Sequence, residues 1–286
     1  MLLLWRGNKL MELIVFDLDG TLLNRNSTIS AYTGETLKLL SQRNIAYTVA
    51  TGRTVHGARA ILEGHRFHLP QIYKNGVMIW NPRQQSYSSS TTLTPTELES
   101  IVSACEGAGL TPFVFTLDNA QDCQVYHATV ASDADRELVR VLGLEGSVRM
   151  RPMSELPTNA VVTHINSIGA QSAIQSVLDK VSGEAHLVAY SGTALEGPDW
   201  HWLDVHHSDA SKGGALCLLK RQLGLERIIC FGDSDNDLSM FQAADECYAP
   251  ANANPAIKSA ATAVIGHHDE DGIARFLRQR FSLDPG

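Results

Sequence analysis

The sequence predicts an α/β fold: a doubly wound core with a parallel, Rossmann-like sheet, interrupted by an inserted α+β domain. Short apolar segments end in polar or acidic residues in the first and last thirds of the 286-residue chain. Strand and helix patterns alternate in those two parts, which is typical of a parallel sheet with crossover helices. The middle of the chain has strand and helix patterns but no acidic strand ends, which indicates a separate α+β unit.

Composition excludes several classes of protein. The chain is 44% hydrophobic and 19% charged, as in globular proteins, and its formal net charge of −8 argues against a nucleic-acid partner. It has no apolar run of transmembrane length, so no membrane partner is expected. The five cysteines form no CxxC pair, which favours a reducing, cytoplasmic location. The first ten residues are expected to form a tail or to precede a true start at Met11. The expected oligomeric state is monomer or homodimer.

The first strand, residues 13–16, leads directly into Asp17-Leu18-Asp19-Gly20-Thr21-Leu22. Asp17 and Asp19 can face one cavity if the chain bends at Gly20. Two carboxylates that close repel each other unless a cation lies between them, and oxygen ligands suit Mg²⁺. One carboxylate could attack phosphorus while the other carries a proton. The alternative is a simple acidic turn, and the spacing alone does not rank the two carboxylates.

The second strand, residues 45–50, follows a helical pattern and ends in Thr51-Gly52-Arg53. A further helix is predicted over residues 56–63. This order is a βαβ unit, in which ligands bind at the carboxyl ends of the strands. A hydroxyl and backbone N–H groups beside a glycine can hold phosphate oxygens, although a plain turn is the alternative.

The next pair of short strands is separated by Asn75-Gly76, a strong hairpin signal. Either Asn75 serves only the turn or it also contacts a ligand. We expect the core to comprise residues 1–82 and 192–286.

The inserted domain is expected to span residues 83–191. Thr94 and Pro95 form a good helix start as N-cap and first helical residue. The remaining patterns predict strands over 111–116, 123–129, 160–166 and 184–190 and helices over 133–141 and 170–181, with Gly143 closing the first of these two helices.

After the insertion, a strand around 202–205 is followed by a polar loop and a helix that begins at Lys212 or Gly213. A lysine at a helix start is unfavourable for the helix dipole, which favours a functional role for Lys212. Its ammonium group could offset repulsion between carboxylates and phosphate. His206 and His207 would point to opposite faces of a strand, so we predict no metal site there, and the same for His267 and His268.

A third buried strand, ending at Phe231, enters the loop Gly232-Asp233-Ser234-Asp235-Asn236-Asp237. These acids could simply cap the following helix. The rest of the chain completes the sheet and adds a last helix that ends near Arg280.

Four of these segments, in this order, resemble the motifs of the haloacid dehalogenase superfamily, in the form used by its Cof-type branch. The segments are DxDGTL from Asp17, Ala50-Thr51-Gly52-Arg53, Lys212-Gly213-x-Ala215-Leu216, and Gly232-Asp233-x-x-Asn236-Asp237-x-x-Met240. The resemblance covers about residues 12–280. The chain departs from the branch at Asp204, where a Glu is usual, and in the two histidines that follow.

The resemblance implies a Mg²⁺-dependent phosphatase in which Asp17 is the nucleophile and Asp19 the general acid and base. It implies Mg²⁺ ligands from Asp17, the Asp19 carbonyl and Asp233, with Asp237 holding metal waters or Lys212. The implied phosphoryl and substrate contacts are Thr51, Gly52, Arg53, Asn75, Lys212 and Asn236.

The inserted domain would then be a cap that excludes water and contributes substrate contacts. Small phosphorylated metabolites are the expected substrates, with sugar phosphates first and pyridoxal phosphate and nucleotide phosphates also open. A phosphomutase, a carbon–halogen or phosphonate hydrolase and a non-catalytic phosphometabolite-binding module remain alternatives.

Overall fold

The computed structural model describes residues 12–89, 91–117, 123–130, 132–144, 148–194, 197 and 199–284. The choice between a tail and a start at Met11 therefore concerns residues outside this part. The chain divides into two compact units, one comprising residues up to 85 and from 211 onward and the other residues 86–210. In the described part of the chain, every helix is too short or too polar to cross a bilayer.

The secondary structure alternates between strands and helices in the first unit and is richer in strands in the second. The strands are β1 (Glu12–Phe16), β2 (Ala46–Val49), β3 (Gln71–Tyr73), β4 (Met78–Asn81), β5 (Ser86–Ser88), β6 (Phe113–Leu117), β7 (Cys123–His127), β8 (Val148–Pro152), β9 (Val161–Ala170), β10 (Leu187–Thr193), β11 (Trp200–His207), β12 (Arg227–Phe231), β13 (Glu246–Pro250) and β14 (Ala263–Ile265). The helices are α1 (Ala31–Gln42), α2 (Val55–Leu62), α3 (Pro95–Gly107), α4 (Asp133–Leu144), α5 (Gln171–Val181), α6 (Lys212–Leu223), α7 (Leu238–Ala243), α8 (Pro255–Ala260) and α9 (Gly272–Arg280).

The first unit is built on a five-stranded parallel sheet with strand order β14-β13-β12-β1-β2. Residues 13–16 of β1 and 228–231 of β12 are fully buried, as expected for central strands that helices cover on both faces. Val15 lies opposite Cys230, and Phe16 lies opposite Val49 on the other side. The predicted doubly wound parallel core is therefore confirmed.

The Asn75-Gly76 turn joins β3 and β4 into an antiparallel hairpin, in which Tyr73 pairs with Met78. Both turn residues have positive φ, +54° for Asn75 and +105° for Gly76. A Cβ atom on Gly76 would lie 2.1 Å from the carbonyl oxygen of Ser211, at the start of α6. Glycine is required here because the hairpin touches the backbone in front of α6.

The second unit contains a six-stranded sheet with strand order β10-β11-β9-β6-β7-β8. Neighbouring strands are antiparallel except β7 and β8. Helices α3 and α5 bury Ile101 and Val177 in one apolar cluster with Ile165 and Val205 of the sheet. This is the α+β unit that the sequence predicts.

The unit boundaries differ from the predicted ones. The strand at 202–205, predicted for the core, belongs to β11, where Val205 pairs with Ile165 of β9 and Ala189 of β10. The second boundary therefore follows residue 210 rather than 191, and the first follows 85 rather than 82. Strand pairing, which a local pattern does not encode, places β11 in the inserted unit.

In the inserted unit, one local prediction was wrong and one strand was missed. Helix α4 continues through Gly143 to Leu144, so this glycine does not end the helix. The sequence patterns did not predict β8, whose arginines alternate with half-buried residues.

Candidate active site

Polar residues from three strand ends of the first unit meet beside β1 and β12. Asp17 follows β1, Asp233 follows β12, and Thr51 follows β2. The backbone N–H of Asp17 donates to the carbonyl of Phe231 at 2.9 Å, which holds the first two strand ends together. Because β1 and β12 are adjacent in the sheet but far apart in sequence, these residues lie at the position where doubly wound sheets bind ligands.

A turn at Gly20 brings the first acidic segment against Asp233. Gly20 has φ of +74°, and a Cβ atom there would lie 2.4 Å from Oδ2 of Asp233. The Thr21 hydroxyl donates to Oδ1 of Asp233 at 2.8 Å, and the Asn252 amide donates to the carbonyl of Gly20 at 2.7 Å. The turn is thus fixed from both sides.

Lys212 joins two of the acids. It begins α6, where the Ser211 hydroxyl caps the helix by accepting from the N–H of Gly214. Its side chain is fully buried, and Nζ lies 2.6 Å from Oδ1 of Asp17 and 2.6 Å from Oδ1 of Asp237. Burial lowers the pKa of Lys212, but the two carboxylates outweigh burial and raise the pKa above its ordinary value. The ammonium group is therefore a permanent positive charge.

Asp237 is fully buried, and its second oxygen accepts the N–H groups of Asp233 and Ser234 at 2.9 and 3.1 Å. One oxygen of Asp237 thus accepts a hydrogen bond from Lys212, and the other accepts hydrogen bonds from the loop after β12. The sequence analysis predicted that Asp237 holds metal waters or Lys212, and the structure places it against Lys212.

One lysine does not neutralise the acids that surround it. Burial, together with the charges of Asp237 and Asp233, raises the pKa of Asp17 to about 8 against the opposing effect of Lys212. Burial also raises the pKa of Asp233. Asp17, Asp233 and Asp237 each place a carboxylate oxygen within 4.8 Å of the others. A crowded set of oxygen donors with excess negative charge suits a hard divalent cation such as Mg²⁺.

The Asp19 side chain lies outside that cluster. Arg53 Nε donates to Oδ2 of Asp19 at 2.7 Å and Nη2 donates to Oδ1 at 2.6 Å, a bidentate pair. The third nitrogen, Nη1, donates to the carbonyl of Gly57 at 3.2 Å. Arg53, predicted to contact substrate, thus engages the predicted acid–base residue.

The remaining predicted contacts form a polar wall beside Thr51. The Thr51 side chain accepts the N–H of Arg53 at 3.1 Å, and its carbonyl accepts the N–H of Asn75 at 3.0 Å. The amide of Asn236 donates to Oδ1 of Asn75 at 2.9 Å. A Cβ atom on Gly52 would lie 3.1 Å from that same oxygen. All ten residues predicted for the site therefore lie in the first unit. They form two groups of neighbouring residues: one contains Lys212 and the acids around it, and the other extends from Asp19 through Arg53 to the polar wall.

Comparison with known proteins agrees with this architecture. A family model described as haloacid dehalogenase-like hydrolase matches residues 14–277. The chain belongs to the haloacid dehalogenase-like hydrolases. The match covers both units and extends over nearly the whole chain, as the sequence resemblance does.

This hydrolase is similar to several known proteins over nearly their full length. It is 28% identical to 5-amino-6-(5-phospho-D-ribitylamino)uracil phosphatase YitU of Bacillus subtilis, over 95% of this chain and 98% of the relative. It is 29% identical to phosphatase YwpJ of the same organism, over 94% and 99%. The solved structure of a haloacid dehalogenase-like hydrolase from B. subtilis superimposes with a TM-score of 0.70 at 25% identity, over 94% and 99% of the chains.

A second group of possible metal ligands in this hydrolase comprises His267, His268 and Asp269. They lie on a short helical turn rather than a strand, so the alternation argument against a shared ion does not apply to them. Each is already engaged: His267 accepts the N–H of Asp269, His268 Nδ1 bonds the carbonyl of Leu23, and Asp269 pairs with Arg25.

The sequence analysis missed three residues that shape the site of the hydrolase. Thr21 and Asn252 fix the Gly20 turn, and Ser211 caps the helix that carries Lys212. Asn252 had a usable signal, because it follows the carboxyl end of β13, another strand of the parallel sheet. Thr21 belongs to the first motif but has no charge that would mark it.

Proposed function

We propose that this hydrolase is a Mg²⁺-dependent phosphatase that cleaves small phosphate monoesters through an aspartyl-phosphate on Asp17. The observation that supports the proposal is the buried contact of Asp17 with Lys212 at the β1–β12 strand ends, beside Asp233. A carboxylate fixed next to a permanent cation is oriented for attack on an anionic phosphoryl group.

In the first step, an Asp17 oxygen forms a bond to phosphorus as the bond from phosphorus to the ester oxygen breaks. Asp19 gives its proton to the departing oxygen, which leaves as an alcohol. In the second step, Asp19 takes a proton from water, and the water oxygen bonds to phosphorus. The Asp17–phosphate bond breaks, and Asp17 returns as a carboxylate.

Asp17, Asp233 and the backbone carbonyl of Asp19 are the proposed Mg²⁺ ligands. When bound, the ion would neutralise negative charge that develops on the phosphoryl oxygens. Lys212 supplies a second, fixed positive charge at the same carboxylate. Asp237 keeps the lysine in place, because it holds both Nζ and the backbone of Asp233.

The polar wall of Thr51, Gly52, Asn75 and Asn236 is the proposed cradle for phosphoryl oxygens and nearby substrate groups. Backbone N–H groups beside a glycine, together with a hydroxyl and an amide, are neutral donors that bind phosphate oxygens without adding charge. The linked amides of Asn75 and Asn236 orient each other, so this wall is preorganised.

For the substrate, we propose a small phosphorylated metabolite, with sugar phosphates and related polyol phosphates first. The relative YitU is named for a compound whose phosphate lies on a ribityl chain. We further propose that the inserted unit selects the group that carries the phosphate. The proposed site residues of the first unit are all assigned to the transfer or binding of the phosphoryl group.

The test is release of phosphate from para-nitrophenyl phosphate with and without Mg²⁺. We expect Mg²⁺-dependent turnover that falls roughly a thousandfold or more in Asp17→Asn. Asp235→Asn is the matched control, because Asp235 is an exposed acid in the loop that carries Asp233, and it should keep its turnover. Unchanged turnover in Asp17→Asn would contradict the proposed nucleophile. Phosphoryl transfer that needs a sugar bisphosphate would indicate a phosphomutase instead.

A further inference from the structure

Arg53 and Asp19 form a bidentate ion pair in the structure. All three guanidinium nitrogens of Arg53 are used, two by Asp19 and one by Gly57. Both carboxylate oxygens of Asp19 accept hydrogen bonds from the same guanidinium group. Asp19 therefore occupies the Nε–Nη2 fork of Arg53 with both of its carboxylate oxygens. A phosphate ester cannot take this fork while the pair is intact.

We propose that substrate exchanges the partner of Arg53: the phosphate ester takes the guanidinium fork and thereby releases Asp19 to act as acid and base. This inference rests on the proposed phosphatase function and adds to it a positioning role for Arg53. A planar guanidinium group binds phosphate and carboxylate in the same two-pronged geometry, so one can replace the other without a change of donor atoms.

The surroundings of the pair favour exchange. The Arg53 and Asp19 side chains keep 26% and 53% of their exposure, so water can solvate either partner during the change. The backbone beside Arg53 is fixed, because its N–H donates to Thr51 and its carbonyl accepts the N–H of Lys74. The guanidinium group can therefore move while the polar wall at Thr51 stays in place.

If Arg53 exchanges partners, phosphate affinity should respond to substitutions differently than if Arg53 only anchors Asp19. If Asp19 competes with phosphate for Arg53, weakening Asp19 must strengthen phosphate binding. If Arg53 only anchors Asp19, loss of Asp19 should leave phosphate binding independent of Arg53. The reciprocity of coupled equilibria requires this link between the two sites on Arg53.

The experiment is titration calorimetry of inorganic phosphate into the Mg²⁺-loaded full chain. We expect Asp19→Asn to bind phosphate roughly threefold to tenfold more tightly than the wild type and Arg53→Ala about tenfold or more weakly. In Arg53→Ala/Asp19→Asn, the gain from Asp19→Asn should disappear. Arg53→Lys should recover part of the affinity, because it keeps the charge but lacks the fork. Arg59→Ala, an exposed arginine on α2, is the matched control for charge and should bind as the wild type does.

Two results would overturn the exchange. Phosphate affinity that is unchanged or weaker in Asp19→Asn would show that Asp19 does not compete for Arg53. An equal gain from Asp19→Asn with and without Arg53 would show a general charge effect. Either result alongside normal wild-type turnover of para-nitrophenyl phosphate leaves the phosphatase function intact. A wild type that neither hydrolyses this ester nor binds phosphate would contradict the proposed function and, with it, the exchange.

Discussion

Two cations hold carboxylates of the candidate active site, and their surroundings differ. Lys212 is fully buried between Asp17 and Asp237, at 2.6 Å from each. Arg53 holds Asp19 with two hydrogen bonds of similar length, but both side chains reach solvent. Loss of a buried partner leaves a charge that neither water nor protein neutralises, whereas water replaces an exposed partner. Burial therefore makes the first contact a fixed part of the fold and the second an exchangeable one.

The largest effect should come from removal of the buried cation. In metal-free buffer, we expect Lys212→Met to lower the free energy of unfolding by about 3–5 kcal/mol, because Asp17 and Asp237 lose their shared partner. Lys220→Met is the matched control, since Lys220 lies on the same helix and pairs with Asp245 in a partly exposed contact of 2.9 Å. Its cost should stay below ~1 kcal/mol. Urea unfolding measures both, and equal losses would contradict the difference in burial.

The next effect concerns the backbone that positions Lys212. We expect Gly76→Ala to cost roughly 2–4 kcal/mol, because the added methyl group would meet the Ser211 carbonyl in front of α6. Gly64→Ala is the matched control: it also has positive φ, at +82°, but no atom lies within 4 Å of its added Cβ. Backbone strain alone should cost the control about 1 kcal/mol. Thermal unfolding compares them, and similar losses would show that the close approach to Ser211 is tolerated.

The crowded carboxylates predict a pH-dependent response to Mg²⁺. The pKa of Asp17 is about 8 in the folded protein and 3.8 for an ordinary aspartate. Between these values, the folded protein holds a proton that the unfolded chain releases. The metal-free protein should therefore lose stability from this group as pH rises toward 8. Mg²⁺ must displace that proton, so its affinity should rise up to about tenfold per pH unit below 8.

Melting curves at pH 6 and pH 8, with and without Mg²⁺, measure this response. The Mg²⁺-induced increase in Tm should be larger at pH 8, and the difference between the two pH values should shrink in Asp17→Asn. An increase of the same size at both pH values would show that Asp17 does not carry the proton.

The sequence predicted the buried contact better than the exposed one. Asp17 and Asp233 each follow a strand of the parallel sheet, and the strand order places these ends at one edge. Lys212 begins helix α6, where its unfavourable position for the helix dipole marked it as functional. The grouping of these residues was thus accessible from the sequence. The pairing of Arg53 with Asp19 was not, because it depends on the direction of two long or exposed side chains rather than on strand order.

The same distinction explains the errors in the second unit. The apolar alternation of β11 fits either sheet, and only its pairing with β9 and β10 assigns it to the inserted unit. Strand β8 pairs with β7 in parallel at the edge of its sheet, and its alternation of exposed arginines with half-buried residues was missed in the sequence analysis. Local sequence determines that a segment forms a strand, but nonlocal pairing determines its sheet.

The smallest effect on stability should come from the exposed cation. We expect Arg53→Ala to change the free energy of unfolding by less than ~1 kcal/mol, because water can solvate Asp19 once the guanidinium group is gone. Urea unfolding beside Lys212→Met gives the contrast directly. A loss as large as that of Lys212→Met would show that the Arg53–Asp19 pair is a structural element of the fold. Such a pair could not open for substrate at an acceptable cost, so this result would also remove the physical basis for partner exchange.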